Sequence, residues 1–278
     1  MKREQRTVLM ILCMAVFAVS AAMIVSLLFQ SCAAEQAYRE AEELARAEAS
    51  ASPSAVPTAS PTPAPTAEPA LLPQKIVDPQ AAVLEEMDLS ALQAVNEDVL
   101  GWLMIPDTVI SYPLLQGEDN QYYLKHTWDK EQNKIGSLFL ECTNEPDFSE
   151  FNTIIYGHNF ESGVMFSELH GYKEQDFWSD HPYVYLLREG GMYRYAVYAA
   201  FEADVPGYVY RLNIEDEALK EEFISSSLEQ SVIDTGVVPT AEDQLITLST
   251  CVSFGAEYDH RWVVLAMLEG EITAEAEK

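Results

Sequence analysis

Thr7–Phe29, "TVLMILCMAVFAVSAAMIVSLLF", runs for 23 residues without a charge. At about 1.5 Å of rise per residue, a helix of this length crosses the roughly 30 Å hydrocarbon core of a bilayer. It exceeds the apolar region of a cleaved secretory leader. The sequence therefore predicts an uncleaved anchor over residues 7–29, with 1–6 on the cytoplasmic side. Lys2, Arg3 and Arg6 stand there against Glu4 alone, and basic flanks stay cytoplasmic. Everything from Gln30 onward is then expected outside the cell. "FQSC" at Phe29–Cys32 approaches a lipoprotein cleavage site, but Phe29 and Gln30 fit such a site poorly.

Behind the anchor the composition is that of a globular chain, except for its charge. Across 278 residues, 16 Lys and Arg face 45 Asp and Glu, a formal net charge of -29. Such a surface repels phosphate backbones, so nucleic acid is not an expected partner. Of the four cysteines, Cys13 lies in the anchor and Cys32 at its exit, leaving Cys142 and Cys251 for the globular part. No CxxC and no second Cys/His cluster is present, which argues against a structural zinc site. An exported chain can form disulfides, so a Cys142–Cys251 bridge has to be weighed.

Residues 30–50, ending in "AAEQAYREAEELARAEAS", have helix propensity but hardly any apolar stripe, and read as an exposed helical stalk. Residues 51–72 are a Pro/Ala/Ser/Thr linker, extended and semi-rigid, that would hold the following domain away from the membrane. The globular domain is expected over 73–270, with a tail over 271–278. Asp78-Pro79 suits a helix start, and two short helices should follow. From Val99 the period changes to that of strands. Candidates are two strands within "VLGWLMIPDTVISYPLLQ", then 136–141, 152–156, 183–188, 192–204, 244–251 and 261–269. "MFSELHGY" and "KEQDFWSDH" read as short helices. Residues 215–232 read as a longer one, with Leu219, Phe223, Ile224 and Leu228 on one face. Eight strands with few helices point to a mainly β fold, a closed eight-stranded barrel with helical additions.

In Leu245–Cys251 side chains alternate between faces. Ile246, Leu248 and Thr250 share one face; Leu245, Thr247, Ser249 and Cys251 share the other, more polar one. Core cysteines sit among aliphatics, so this placement at a strand end is unusual. A hairpin around residues 252–260 brings Arg261 to the same rim. A cation beside a thiol favours the thiolate, and Arg can also donate to an oxyanion. The residues alone leave four possibilities for Cys251: core filling, half of a disulfide, a metal ligand, or a nucleophile. A nucleophile needs an acid/base partner. His158, in the turn after the buried strand of "NTIIYGHNF", is the best placed of the five histidines. His126, His170 and His181 read as structural, and His260 as a weaker candidate.

"TLSTC" at 247–251, Arg261 ten positions on, and "YGHN" at 156–159 together resemble a sortase, a membrane-anchored cysteine transpeptidase of Gram-positive bacteria. "DNQYYLKHTWDKEQNKIGSLFLE", "MFSELHGY" and the helix ahead of the cysteine strand resemble class B sortases in particular. The resemblance covers roughly residues 99–269. It implies Cys251 as nucleophile, His158 as acid/base and Arg261 as oxyanion stabiliser. It further implies a substrate groove flanked by Ser249 and Thr250, with alternation favouring Ser249. Its substrates would be secreted proteins carrying a C-terminal sorting signal, cleaved after Thr. Its acceptor would be an amine, of the peptidoglycan cross-bridge or, in a pilin polymerase, of a lysine. A cysteine peptidase and a disulfide-containing binding domain are the alternatives. Some class B members carry an acidic residue where this chain has Ser253. No acidic cluster like the calcium site of some class A sortases is present, so neither metal nor cofactor is expected.

Overall fold

The computed structural model describes residues 3–49, 75–160, 162–252 and 259–275. The Pro-rich linker and Ser253 lie outside them. The first element, α1 (Arg3–Ala49), is one continuous helix. Its N-terminal part is long and apolar enough to cross a membrane, with Met10, Phe17, Met23 and Phe29 exposed.

The C-terminal part of α1 overturns the expected exposed stalk. Ala34, Tyr38, Ala41 and Ala45 are buried, at the 4-3-4 spacing that lines one helix face. The stripe is hard to see in sequence because it consists mostly of alanines, which allow close approach but carry little hydrophobicity. Polar contacts accompany it. The Tyr38 hydroxyl donates to the Gly136 carbonyl. Trp128 Nε1 donates to the Ala37 carbonyl at 2.8 Å, and Asn133 Nδ2 to that of Gln30 at 2.9 Å. The segment following the span is therefore packed on the domain. The part of the linker expected to act as a spacer begins only after this docked helix ends.

The domain opens with the short β1 (Ile76–Val77), α2 (Gln80–Glu85) and α3 (Leu89–Val95). Asp88, the N-cap of α3, accepts the Ser90 N–H on Oδ1 at 2.8 Å, and Asp78, one residue ahead of the α2 N-cap Pro79, accepts that of Gln80 on Oδ1 at 2.9 Å. The barrel consists of β2 (Val99–Met104), β3 (Ser111–Leu115), β4 (Leu138–Leu140), β5 (Asn152–Tyr156), β6 (Tyr183–Arg188), β7 (Gly191–Asp204), β8 (Leu245–Cys251) and β9 (His260–Thr273). Strand order is β9-β7-β6-β2-β3-β4-β5-β8, and β8 pairs back onto β9, closing the ring. This is the closed eight-stranded barrel expected from the sequence, with β1 added in parallel to β9. Between β5 and β6 lie a 3₁₀ segment (Ser167–Lys173) and α4 (Gln175–Asp180). Between β7 and β8 lie a 3₁₀ turn (Tyr208–Tyr210) and α5 (Glu217–Gln230).

Two cores flank the barrel wall. Ile246, Leu248, Trp262, Val264 and Ala266 face the large interior core. Leu245, Val263 and Leu265 face a second core closed by α5 through Phe223 and Ile224. Leu228 packs at the edge of that core, but Leu219, expected on the same face, is 41% exposed. The β8 alternation thus separates barrel interior from an outer face that α5 and the Tyr208–Tyr210 turn cover only in part.

Candidate active site

The site lies where β5, β8 and β9 end side by side. The β5–β8 pairing is parallel, with Tyr156 opposite Ser249, and the Gly157 N–H continues it by donating to the Ser249 carbonyl at 3.1 Å. β5 ends at Tyr156, and the chain turns at Gly157 so that His158 follows at the same rim where Cys251 ends β8. The β8–β9 pairing is antiparallel and sets Cys251 opposite Arg261. Adjacent strands lie about 4.8 Å apart, and paired residues share a face. One thiol and one guanidinium from strand ends, and one imidazole from the turn after β5, therefore form a row along one rim of the barrel, with the Arg261 charge close enough to act on His158. Gly157 makes the turn possible: a Cβ there would approach Leu138 Cδ2 to 2.5 Å and Phe166 Cδ2 to 2.6 Å.

The imidazole orientation follows from its hydrogen bond. His158 Nε2 lies 2.8 Å from the Leu124 carbonyl. A carbonyl only accepts, so Nε2 carries the proton and Nδ1 is the basic nitrogen of the neutral ring. Burial lowers the His158 pKa; the Leu124 bond opposes this, and the nearby Arg261 charge adds to it. The resting imidazole is accordingly neutral near pH 7 and able to take a proton. Arg261 Nη1 donates to the His260 carbonyl at 2.9 Å. His260 itself points elsewhere, with Nδ1 3.0 Å from Asp204 Oδ1. Cys251 and Cys142 are both free thiols, so the structure does not contain the disulfide.

Ser249 is buried on the Cys251 face, with its Oγ 2.9 Å from the Tyr210 hydroxyl. Thr250 is buried on the opposite face, its Oγ1 without a hydrogen-bond partner among the described residues. Alternation thus brings Ser249 to the row and turns Thr250 away from it. His126 and His181 are structural: Nδ1 of each meets a backbone carbonyl, of Tyr122 at 2.8 Å and of Pro106 at 2.9 Å.

Comparison with known proteins places the chain in a family and bears on its fold. Residues 103–269 match the sortase domain. The chain is 39% identical over 166 residues to sortase B of Listeria monocytogenes, covering 59% of this chain and 67% of that one. The chain belongs to the sortase family. A Staphylococcus aureus sortase B–substrate complex superposes with a TM-score of 0.62 at 30% identity, covering 66% of this chain and 85% of the other. A sortase B structure complexed with triglycine gives 0.64 at 30% identity, covering 70% and 89%. These relatives are class B, and the activity is that of a sortase cysteine transpeptidase.

Three parts of this sortase's site were not identified from sequence. The Leu124 carbonyl comes from the aromatic run "YYLKHTWD", where a backbone group leaves no residue-type signal. Tyr210 sits in the turn ahead of α5. Burial raises its hydroxyl to about 12, and Arg261 and Cys251 lie within electrostatic reach. His170, expected to be structural, places Nε2 2.9 Å from the Cys251 carbonyl.

Proposed function

We propose that this sortase transfers secreted proteins from their C-terminal sorting signals to a cell-wall amine through a thioester on Cys251. Support comes above all from Cys251 and Arg261 paired across β8 and β9, with His158 at the same rim in the turn after β5. In the first step Cys251 Sγ gives its proton to His158 and forms a bond to the carbonyl carbon of Thr in the signal. The C–N bond to the next residue breaks, and His158 returns the proton to the leaving amine. In the second step the acceptor amine loses a proton to His158 and forms the new C–N bond, the S–C bond breaks, and His158 returns the proton to the departing Cys251 sulfur. Arg261 donates to the oxyanion of both tetrahedral species. The substrate and the triglycine bound to related sortase B structures support a peptide donor and an amine acceptor. The acceptor would be the peptidoglycan cross-bridge. Residues 7–29 would anchor the enzyme, with the basic N-terminus cytoplasmic and the barrel outside.

Mass spectrometry of the enzyme incubated with a panel of pentapeptides, including Asn-Pro-Gln-Thr-Asn and signals ending in Thr-Gly, tests this reading. The expected result is an acyl adduct on Cys251 from a Thr-containing peptide, and a triglycine-extended product in excess over the hydrolysed one. Hydrolysis alone would make it a peptidase. An adduct absent from Cys251 would remove the nucleophile assignment.

A further inference from the structure

Cys251 carries the last carbonyl of β8, and three elements meet on that oxygen. Asn159 Nδ2, one residue beyond His158, donates to it at 2.9 Å. His170 Nε2, from the 3₁₀ segment Ser167–Lys173, lies at the same distance, and the two nitrogens are 2.9 Å apart. A carbonyl oxygen has two lone pairs and can accept from both. The His170 ring is itself held. It stacks on Trp262 with centroids 5.8 Å apart and a 25° interplanar angle. Trp262 Nε1 donates to the Leu169 carbonyl at 2.8 Å, beside His170 in the chain.

We propose that His170, together with Asn159, is a positioning residue that fixes the Cys251 peptide and so aims the thiol at the reacting carbonyl. The inference rests on Cys251 being the nucleophile. A residue at a strand end has a ladder on one side only, and its peptide plane is otherwise free to tilt. Fixing the carbonyl fixes the Cα–Cβ direction and with it Sγ. Asn159 ties the nucleophile to the loop that presents His158, so thiol and imidazole are registered against each other. His170 ties the same atom to a different part of the barrel wall and resists rotation about the first tie. Burial keeps the His170 pKa below its ordinary value, so the ring is neutral near neutral pH, and because a carbonyl only accepts, its contact with the Cys251 oxygen assigns the proton to Nε2.

The test uses the full-length enzyme in detergent, with whichever pentapeptide of the panel the wild type cleaves, and iodoacetamide as a small probe of Cys251. His170→Ala should lower kcat about tenfold with KM within about twofold, since loss of aim slows the step without loosening the peptide. Alkylation of Cys251 should stay within about twofold of wild type, because a small electrophile needs no aim. His170→Gln, whose amide can reach the same carbonyl, should recover most of kcat. A wild-type kcat in His170→Ala would overturn the proposal, as would a change confined to KM, or alkylation falling in step with kcat. So would a folded His170→Gln no better than His170→Ala, which would leave only the stacking on Trp262. Should His170→Ala unfold, His170→Gln alone decides by the same kcat criterion. Wild-type turnover that survives Cys251→Ala would instead sink the nucleophile assignment, and the inference with it.

Discussion

Cys142 and Cys251 are both half-exposed free thiols at strand ends, yet their surroundings are of opposite sign. Cys142 follows β4, and its Sγ donates to Glu141 Oε1 at 3.4 Å. Burial raises the pKa of Glu141, but bonds from Asn120, Tyr156, Cys142 and Thr143 outweigh it and hold the carboxyl below its usual range. The group therefore stays ionised. Partial burial and then this carboxylate push the Cys142 thiol above its ordinary value. Cys251 stands across the ladder from a guanidinium instead. The two sites are close in the fold, because Tyr156, which donates to Glu141 at 2.9 Å, pairs in register with Ser249. Exposure alone does not distinguish the two sites; the groups beside each thiol do.

The largest expected effect separates the two cysteines outright. Cys251→Ala should lower turnover by about four orders of magnitude, the scale on which removing a nucleophile acts. Its Tm should stay near wild type, and no thioester should appear by mass spectrometry. Cys142→Ala should keep turnover within about twofold. Equal losses would break the comparison, and an unfolded Cys251→Ala would make that cysteine structural. Next in size is Arg261→Lys, expected to cost about a hundredfold or more in kcat, as loss of an oxyanion donor does. A lysine keeps the charge but replaces a planar fork with a single point donor. Near-wild-type kcat in that variant would mean that charge alone matters at this rim, and would remove the oxyanion role.

Much of this contrast was legible in the sequence, for physical reasons that differ by residue. The period-2 pattern of Leu245–Cys251 assigns faces without any tertiary knowledge. A short antiparallel connection makes the Cys251–Arg261 pairing local. His158 could be located because Gly157 marks a turn after a buried strand. The parallel β5–β8 pairing that brings the His158 turn to the rim where Cys251 lies joins distant segments, and only the family resemblance pointed to it. His170 and Tyr210 lie in 3₁₀ segments, whose paths carry no periodic signal. The docking of α1 escaped because small alanines, with Tyr38, form its buried stripe. Thr250 was grouped with Ser249 through the resemblance, although the alternation already placed it on the other face.

The smallest expected effect sharpens the account of Cys142. In Glu141→Gln one oxygen still accepts hydrogen bonds, the other is replaced by an NH2 group, and the negative charge is gone. A carboxylate beside a thiol disfavours the thiolate, and the thiolate is the species that iodoacetamide alkylates. Because Glu141 raises the Cys142 pKa, its removal should move the alkylation rate against pH to lower pH. Burial remains, so the return is partial, and the rate at pH 8 should rise about threefold. Peptide mass mapping after timed labelling distinguishes Cys142 from Cys13, Cys32 and Cys251 in the same sample. Cys251 should label at its wild-type rate, since Glu141 bonds directly to Cys142 Sγ whereas the residue across the ladder from Cys251 is Arg261. An unmoved Cys142 curve would show that burial alone protects that thiol. A Cys251 rate that rose in parallel would mean the two sites share one electrostatic environment, and the contrast between them would have to be withdrawn.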